Sequence, residues 1–483
     1  MNLEESNSFM QEEQKREKKK KVVMVSMILC FILMMFLIVL IGMIQYQDSK
    51  TLKMFIDGTQ VKISPSLYKE IEGKKYVNIK EMAELLGYHY TQGEYNQYNE
   101  NEESCYIAND YEIVAFTAEE KVFTKYAEDL TGKMTIAEIP VTVKTKPGQS
   151  QKYSLDSEIK LIDGVIYVPF EGEIATDLFN IILDWSQKYR IRIYTINQVV
   201  ASSKNTIARL NYTSMSGDYE NLKAMLYGLA VIGDGSKYGV VSLKDGKEIL
   251  GIKYEDITFI SNSRDFLIKA GNTVGIVSSE GKIIIKPTEY DDISVYDDQT
   301  QLYLVKKDNK YGILNRLGKV IIYPDYDSIG YEYYESGNKK KEYKLIFDKC
   351  IPVKEDNKYR LYSIDGKQLL LCVYDSFGSK LSADSSNDEE PLLEIPSDLG
   401  IKGIVIKQND MYGLYDVVKG AIIIPCSCTK VYSTTRTAQT TYYIEHAGMQ
   451  YNLNEYLEAL DLKSLNTDGT VKDLTQTDVV VEQ

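Results

Sequence analysis

The chain has 483 residues with a formal charge of −14, and residue types AVILMFWYC make up 44% of it. A chain of this length is too long for one ordinary hydrophobic core, so about two to four domains are expected. The apolar content is close to the globular average, which excludes disorder throughout. The 70 acidic residues outnumber the 56 basic ones. This excess would repel a phosphate backbone, and no segregated basic face offsets it, so the sequence argues against nucleic-acid binding.

A single membrane-spanning helix is predicted near the N-terminus. Residues 22–44 run 23 positions without a charge, and a helix rising about 1.5 Å per residue crosses the hydrocarbon core over that length. A cleaved signal peptide is the alternative, but the run exceeds a signal h-region and residues 42–46 contain no A-x-A-like site. The basic residues just before the run place the N-terminus in the cytoplasm by the positive-inside rule: Lys15, Arg16, Lys18, Lys19, Lys20 and Lys21.

This topology assigns residues 1–21 to a cytoplasmic tail and 22–45 to the transmembrane helix, with residues 22–44 contacting the lipid bilayer. The bulk of the chain is then extracytoplasmic, with 50 basic and 65 acidic residues and a formal charge of −15. A tail of 21 residues is too short for a kinase or DNA-binding domain. The working part is therefore expected outside the cell membrane.

Cysteine and histidine are too sparse to predict a metal site or a disulfide framework. Five cysteines follow the apolar run, an odd number spread over more than 400 residues. The segment Cys426-Ser427-Cys428 lacks the usual C-x-x-C spacing, and the chain has only two histidines. No metal and no cofactor are therefore predicted.

Between residues 52 and 194, one strand-helix pattern occurs twice. In the first copy, Asn78 is a predicted N-cap with Glu81 three residues on, and Gly87 is a predicted left-handed stop. The helix should span Ile79 to Leu86. The second copy predicts a strand around residues 167–170, a helix around 174–179 and two further strands, Ile181 to Trp185 and Arg190 to Tyr194.

These residues resemble the bacterial stalk domain, also called the copper amine oxidase N-terminal-like domain. Its pattern combines an opening strand like residues 54–58, a Tyr-Val strand, an Ala-x-x-Leu helix and a Trp-containing hairpin. The resemblance covers residues 50–196 and implies an α+β extracytoplasmic spacer or binding module, not an oxidase. Two histidines are too few for a three-histidine copper centre. Residues 197–227 are rich in Ser, Asn and Lys and are interpreted as a polar connector.

The C-terminal half is governed by a repeat. Tyr-Gly-aliphatic, Gly-Lys and Tyr-Asp-x-Ile segments recur in order, and Tyr254, Tyr290 and Tyr326 are each 36 residues apart. A fourth copy ends at Tyr374 after an insertion, and a fifth copy has Cys428 at the position of Tyr290. Three short β segments are predicted per unit, joined by glycine turns. One such hairpin cannot bury its apolar face alone, but a row of them can.

This signature resembles the WG repeat family from about residue 228 to 431. Tyrosine replaces the family tryptophan at Tyr238, Tyr311, Tyr359 and Tyr412, and Arg360 replaces the glycine in the fourth copy. The resemblance implies a β-repeat binding platform without assigned catalytic residues. The predicted fold is multidomain: a single transmembrane helix, an α+β stalk-like domain, then an all-β repeat domain at 228–452, either propeller-like or an open array. Residues 453–483 are expected to be a polar C-terminal tail.

No catalytic constellation is found. Acidic residues are abundant, but pairs such as Asp291-Asp292 fall at repeat turns, and histidine is nearly absent. The insertion that interrupts the period holds a cluster of tyrosines, and insertions in repeat proteins often map to one functional face. A possible contact patch is therefore predicted at Tyr331, Tyr333 and Tyr334.

The sequence thus favours a membrane-anchored extracytoplasmic binding or scaffold protein, not an enzyme, whose ligand is an unknown envelope protein or a cell-wall polymer. Two alternatives remain open. One is an envelope enzyme that acts on glycans through two carboxylates facing each other in one cleft. The other is a passive structural or sensory component that works through the membrane helix.

Overall fold

The computed structural model describes residues 3–49, 52–95, 103–127, 135–142, 150–187, 189–297, 299–334, 340–347, 349–380, 389–395, 400–436 and 439–461. The predicted contact patch and the predicted C-terminal tail fall partly outside these ranges. The side chain of Tyr334 and residues 462–483 lie outside the described part of the chain.

The chain begins with helix α1 (Leu3–Ser49). Its segment Lys15–Ile41 is the one described helix that is long and apolar enough to cross a membrane. The apolar side chains of this segment are exposed, including Leu33 at 63% and Phe36 at 66%. A helix of a soluble core would bury such residues. This helix therefore has the character of a membrane anchor or a signal sequence.

An α+β unit follows α1, and its described helices and strands are as follows: β1 (Lys53–Ile56), β2 (Thr59–Val61), β3 (Tyr68–Ile71), β4 (Lys74–Asn78), α2 (Ile79–Leu86), β5 (His89–Gln92), β6 (Ser104–Ala108), β7 (Glu112–Thr117), β8 (Val122–Ala127), β9 (Thr135–Ile136), β10 (Ile139–Pro140), β11 (Ser150–Ser154), β12 (Lys160–Ile162), β13 (Val165–Pro169), α3 (Gly172–Phe179), β14 (Ile181–Gln187) and β15 (Arg190–Thr195). These strands form sheets ordered β14-β15-β1-β2, β12-β13-β4-β3 and β11-β8-β7-β6-β5, with β9 paired to β10.

The two predicted strand-helix copies pair with each other. Their Tyr-Val strands, β4 and β13, are antiparallel neighbours with Val77 opposite Val168. Helix α2 has the predicted bounds because both of its ends are fixed locally. The Asn78 side chain accepts hydrogen bonds from the backbone N–H groups of Lys80 and Glu81, and Gly87 is left-handed with φ 82°.

The predicted polar connector is folded. It contains α4 (Ile196–Arg209), β16 (Ser214–Met215), α5 (Tyr219–Lys223) and a 3-10 turn (Ala224–Tyr227). Val199, Val200 and Ile207 are buried and pack in one core with Ile136 of the α+β unit. The apolar stripe of α4 recurs at helical spacing among polar residues, so composition alone hid it. In this structure residues 197–227 therefore form folded elements that pack on the α+β unit.

The repeat region is almost entirely β-structure, and its strands are as follows: β17 (Leu229–Gly233), β18 (Tyr238–Ser242), β19 (Glu248–Tyr254), β20 (Asp256–Ile260), β21 (Asp265–Ala270), β22 (Thr273–Ser278), β23 (Ile283–Tyr290), β24 (Asp292–Asp297), β25 (Leu302–Lys307), β26 (Lys310–Asn315), β27 (Val320–Tyr326), β28 (Ser328–Ile329), β29 (Tyr331–Tyr334), β30 (Lys340–Tyr343), β31 (Cys350–Glu355), β32 (Lys358–Ser363), β33 (Ser376–Phe377), β34 (Glu389–Pro391), β35 (Glu394–Ile395), β36 (Gly403–Gln408), β37 (Met411–Asp416), β38 (Ala421–Arg436), β39 (Gln439–His446) and β40 (Met449–Asn452). Helix α6 (Leu453–Asp461) follows them, and it buries Leu453 and Tyr456, so the first part of the predicted tail is folded.

Each of the first three units is a four-stranded antiparallel sheet, one strand more than predicted. The orders are β16-β17-β18-β19, β20-β21-β22-β23 and β24-β25-β26-β27. The additional strand of the second and third sheets begins two residues after the tyrosine of the preceding repeat, at Asp256 and Asp292, so the end of one repeat opens the next sheet. The fourth unit is three-stranded, ordered β28-β31-β32, and the last sheet is centred on β36, β37 and β38.

The glycine of the Tyr-Gly segment lets two strands approach closely. A Cβ on Gly275 would lie 2.5 Å from the carbonyl oxygen of Ile285, and one on Gly312 would lie 2.6 Å from that of Ile322. The register of the partner strand shifts at the same place in both sheets. In the fourth unit Arg360 replaces this glycine, and its aliphatic segment makes only isolated bridges, with Leu371 90% exposed. The first three sheets, which contain the motif glycine, thus have four strands, whereas the sheet with Arg360 has three.

Consecutive sheets also contact each other through glycines. A Cβ on Gly281 or Gly318, at the Gly-Lys turns, would lie 2.9 Å or 2.7 Å from a carbonyl oxygen of the preceding sheet. In the first unit the same position, Gly246, instead faces the Leu210 side chain at the end of α4, at 2.6 Å. Helix α4 therefore takes the place of a preceding sheet and caps the array.

Candidate ligand-binding pocket

The α+β unit and the repeat sheets enclose a pocket of about 410 Å³. One wall comes from the α+β unit and α5, with Tyr111, Glu112, Lys125, Tyr126, Ser150, Gln151, Tyr219, Glu220 and Lys223. The facing wall comes mainly from the second and third sheets, with Asp256, Thr258, Phe259, Ile260, Leu267, Ile276, Ile293, Ser294, Val295, Tyr303 and Lys344. Residues more than 200 positions apart in the sequence therefore line one site.

A buried cluster of four charges lies in the first wall. Lys125 Nζ is 2.9 Å from Glu112 Oε2, and Lys223 Nζ lies 3.6 Å from Glu112 Oε2 and 3.0 Å from Glu220 Oε1. All four side chains are at most 10% exposed. Burial alone would raise the pKa of Glu112, but Lys125 and Lys223 hold it below its usual value. Burial opposes the charge on Lys223, yet Glu220 and Glu112 raise its pKa.

This charge cluster joins the α+β unit to the repeat region. Glu112 begins β7, whereas Lys223 and Glu220 lie on α5 at the start of the repeats. Glu220 also accepts a hydrogen bond from Ser261 Oγ of the second sheet at 2.7 Å. In addition, Asn180 Nδ2 donates to Tyr219 Oη at 3.1 Å. The pocket wall is therefore held by bonds that cross between the two parts of the chain.

A second set of contacts ties α3 to the turn between β20 and β21. Arg264 NH2 lies 2.8 Å from Glu173 Oε2, and its guanidinium stacks over the Tyr227 ring at 4.9 Å. The Tyr227 hydroxyl donates a hydrogen bond to the Asp177 carboxylate. Burial raises the pKa of Asp177. These contacts fix the second sheet, whose first strand β20 lines the pocket, against the α+β unit.

One position on the first strand of each sheet, β20 and β24, lines the pocket with a small side chain. Thr258 and Ser294 each lie four residues after the repeat tyrosine, and Gly330 and Gly378 hold that position in the next two units. At Gly378, an added Cβ would collide with the Tyr333 ring. In the later units, the insertion hairpin β29–β30 therefore occupies the space beside this position. Beside the second and third sheets, the corresponding space is open and forms the pocket.

The predicted contact patch is buried where the structure describes its side chains. Tyr331 and Tyr333 are each 5% exposed. The Tyr331 hydroxyl donates to the Phe377 carbonyl oxygen, and the Tyr333 hydroxyl donates to that of Ser379 at 3.2 Å. Both tyrosines are core residues that join the insertion to the last sheet, and the prediction of an exposed patch was wrong for them.

The close cysteine pair has a packing role. Cys428 lies opposite Tyr412, the register that Tyr290 has opposite Val274 in the second sheet. Its side chain is fully buried, and burial raises its pKa to about 12. All six cysteines are free thiols. Among the residues described, no group of three or more His, Cys, Asp or Glu side chains is placed to hold a metal ion.

Comparisons with known proteins bear on the repeats alone. Residues 275–311 and 311–337 match the family described as WG containing repeat. These segments hold Gly275 and Gly312, the two close-approach glycines of the second and third sheets. No curated protein matches the chain.

Solved structures give alignments that are long but very distant. A crystal structure of the eukaryotic initiation factor is 10% identical over 75% of this chain and 89% of its own, with a TM-score of 0.24. The AfRom2 CNH domain is 9% identical over 46% of this chain and 89% of its own, with a TM-score of 0.15. Hsv2 of Kluyvelomyces marxianus is 8% identical over 45% and 68%, with a TM-score of 0.17. Scores this low carry no argument about fold or function.

Proposed function

We propose that this chain is a membrane-anchored extracytoplasmic binding or scaffold protein, with a cytoplasmic N-terminus, that takes a protein or cell-wall ligand. The exposed apolar helix and the basic residues just before it support the anchor and its orientation. Residues 50–196 then act as a stalk-like domain, a role supported by the paired strand-helix copies. The repeats complete the binding surface.

The pocket is the observation that carries the binding function. A volume of about 410 Å³ lies within the range of small-molecule sites, roughly 300–1,000 Å³. Its polar wall is held rigidly by the charge cluster, and its other wall offers apolar side chains. Preformed concave sites of this composition are typical of ligand binding.

The same cluster argues for binding over glycan hydrolysis. A carboxylate pair that hydrolyses glycosides needs one acid with a raised pKa facing a second carboxylate. Glu112 and Glu220 both line the pocket, but Lys223 contacts both of them, and the pKa of Glu112 is lowered. We therefore propose that this site is not catalytic.

Binding is tested with the full chain in lipid nanodiscs, incubated with cell-wall fractions and envelope proteins from its own source. We expect saturable capture of one of these fractions. Nanodiscs that carry an unrelated single-pass protein are the control. Capture that does not exceed this control contradicts the binding function.

The orientation is tested by labelling one exposed cysteine. Cys372 is exposed, whereas Cys105, Cys350 and Cys428 are buried with pKa values raised by burial to about 12. In intact cells, we expect a membrane-impermeant maleimide to label the chain, and Cys372→Ser to remove most of the label. Labelling of Cys372 only after lysis places the bulk of the chain in the cytoplasm and contradicts the proposed topology.

A further inference from the structure

Four of the six charged side chains in the pocket lining form a compensated cluster. Glu112, Glu220, Lys125 and Lys223 bond to one another at 2.9 to 3.6 Å. The other two charged side chains of the lining have opposite signs, Asp256 and Lys344. A ligand carboxylate or ammonium group that bonded to the four-charge cluster would have to displace one of its partners and leave a buried charge uncompensated, which is costly.

The facing wall is apolar and incompletely covered. Ile260 on β20, Leu267 on β21 and Val295 on β24 are only half-buried although they lie in the second and third sheets. Phe259 and Ile276 are fully buried behind them. Contact with an apolar group would remove this surface from water, and such burial drives ligand binding.

The remaining polar groups of the lining are uncharged. Ser150 and Gln151 come from β11, and Thr258 and Ser294 come from the first strands β20 and β24. Hydroxyl and amide groups orient a ligand by hydrogen bonds without a preference for one sign of charge. The half-buried Tyr111 and Tyr126 add aromatic surface at the same wall.

We propose that this pocket binds an uncharged, partly apolar molecule or ligand group of small-molecule size. This inference rests on the proposed binding function and names its ligand class. Neutral, amphipathic ligands should therefore bind in preference to the charged polymers and charged peptides that are also present in an envelope.

The test compares three probes that share a ring system and differ only in charge: 2-naphthalenemethanol, 2-naphthoate and 2-naphthylmethylamine. Binding to the full chain in nanodiscs is followed by saturation-transfer NMR, with the signal of empty nanodiscs subtracted. We expect the neutral alcohol to bind at least about tenfold more tightly than either ion. Equal or tighter binding of an ion overturns the proposal.

Two pocket-filling variants locate the site. Ser294→Trp fills the pocket from β24, and Gln151→Trp fills it from β11 on the opposite wall, so one variant remains informative if the other does not fold. Tyr323→Trp is the control, because Tyr323 lies outside the pocket lining and is 69% exposed. We expect the folded pocket variants to lose binding of the alcohol and the control to retain it. Unchanged binding in a folded pocket variant overturns the proposal.

The inference and the proposed function fail in different ways. Selective binding of the neutral probe without capture of any envelope fraction upholds the ligand class and contradicts the proposed function. Capture of an envelope fraction by a chain that shows no preference for the neutral probe overturns the inference and leaves the function in place.

Discussion

Replacing Gly312 by alanine will destabilise the repeat region by about 3 kcal/mol, the upper end of typical overpacking costs. The added Cβ would lie 2.6 Å from the Ile322 carbonyl oxygen and 2.7 Å from the Pro324 nitrogen. Both are backbone atoms, so no side chain can move aside to relieve the collision. Chemical denaturation of the full chain, followed by far-UV circular dichroism, measures the loss.

The matched control for this change is Gly251→Ala. Gly251 lies in β19, and its added Cβ would meet only the end of the flexible Glu248 side chain, at 3.2 Å. We expect its midpoint of unfolding to remain close to that of the unmodified chain. Equal effects of the two substitutions would show that close strand approach is not the reason for the motif glycine.

Replacing Lys223 by methionine will cost about 3–5 kcal/mol, because it leaves a buried carboxylate without its partner. Lys223 lies between Glu112 and Glu220 and is only 7% exposed in its side chain. The single tryptophan, Trp185, belongs to the α+β unit, which provides Glu112. Its fluorescence during denaturation will therefore report the loss on the side of the α+β unit, and circular dichroism will report unfolding of the chain as a whole.

Two further variants separate this effect from a general loss of charge. Lys237→Met removes an ion pair with Glu255 in which both side chains are about 40% exposed, so we expect a cost of at most about 1 kcal/mol. The double variant Lys223→Met, Glu220→Gln removes one charge of each sign and leaves Glu112 bonded to Lys125. It should lose less stability than Lys223→Met alone. A larger loss in the double variant contradicts the compensated cluster.

Features with local causes could be predicted from the sequence. The bounds of α2 follow from Asn78 and Gly87, which act within one turn of the helix ends. The repeat period and the turn glycines could also be predicted, because each unit repeats the same short-range pattern. The additional strand of the second and third sheets was missed because the residues after the repeat tyrosine pair with the next repeat, whereas the tyrosine itself pairs within its own sheet.

Features made by distant residues could not be predicted. Glu112 and Lys223 are 111 positions apart and belong to no motif, so the pocket had no signature in the sequence. The tyrosines of the insertion were interpreted as a possible contact patch because they interrupt the period, but burial depends on the partner surface, here Phe377 and Ser379. The apolar spacing in α4 is a signal in the sequence that predicts a helix in the segment interpreted as a connector.

Capture by a pocket-filled chain tests whether the pocket between the α+β unit and the repeat sheets binds the ligand. The envelope fraction that the unmodified chain retains is offered to Ser294→Trp and Tyr323→Trp chains in identical nanodiscs. We expect Ser294→Trp, with an unchanged melting temperature, to lose most of the capture while Tyr323→Trp keeps it. Equal capture by both chains would show that the pocket does not bind the ligand and that the binding surface lies elsewhere.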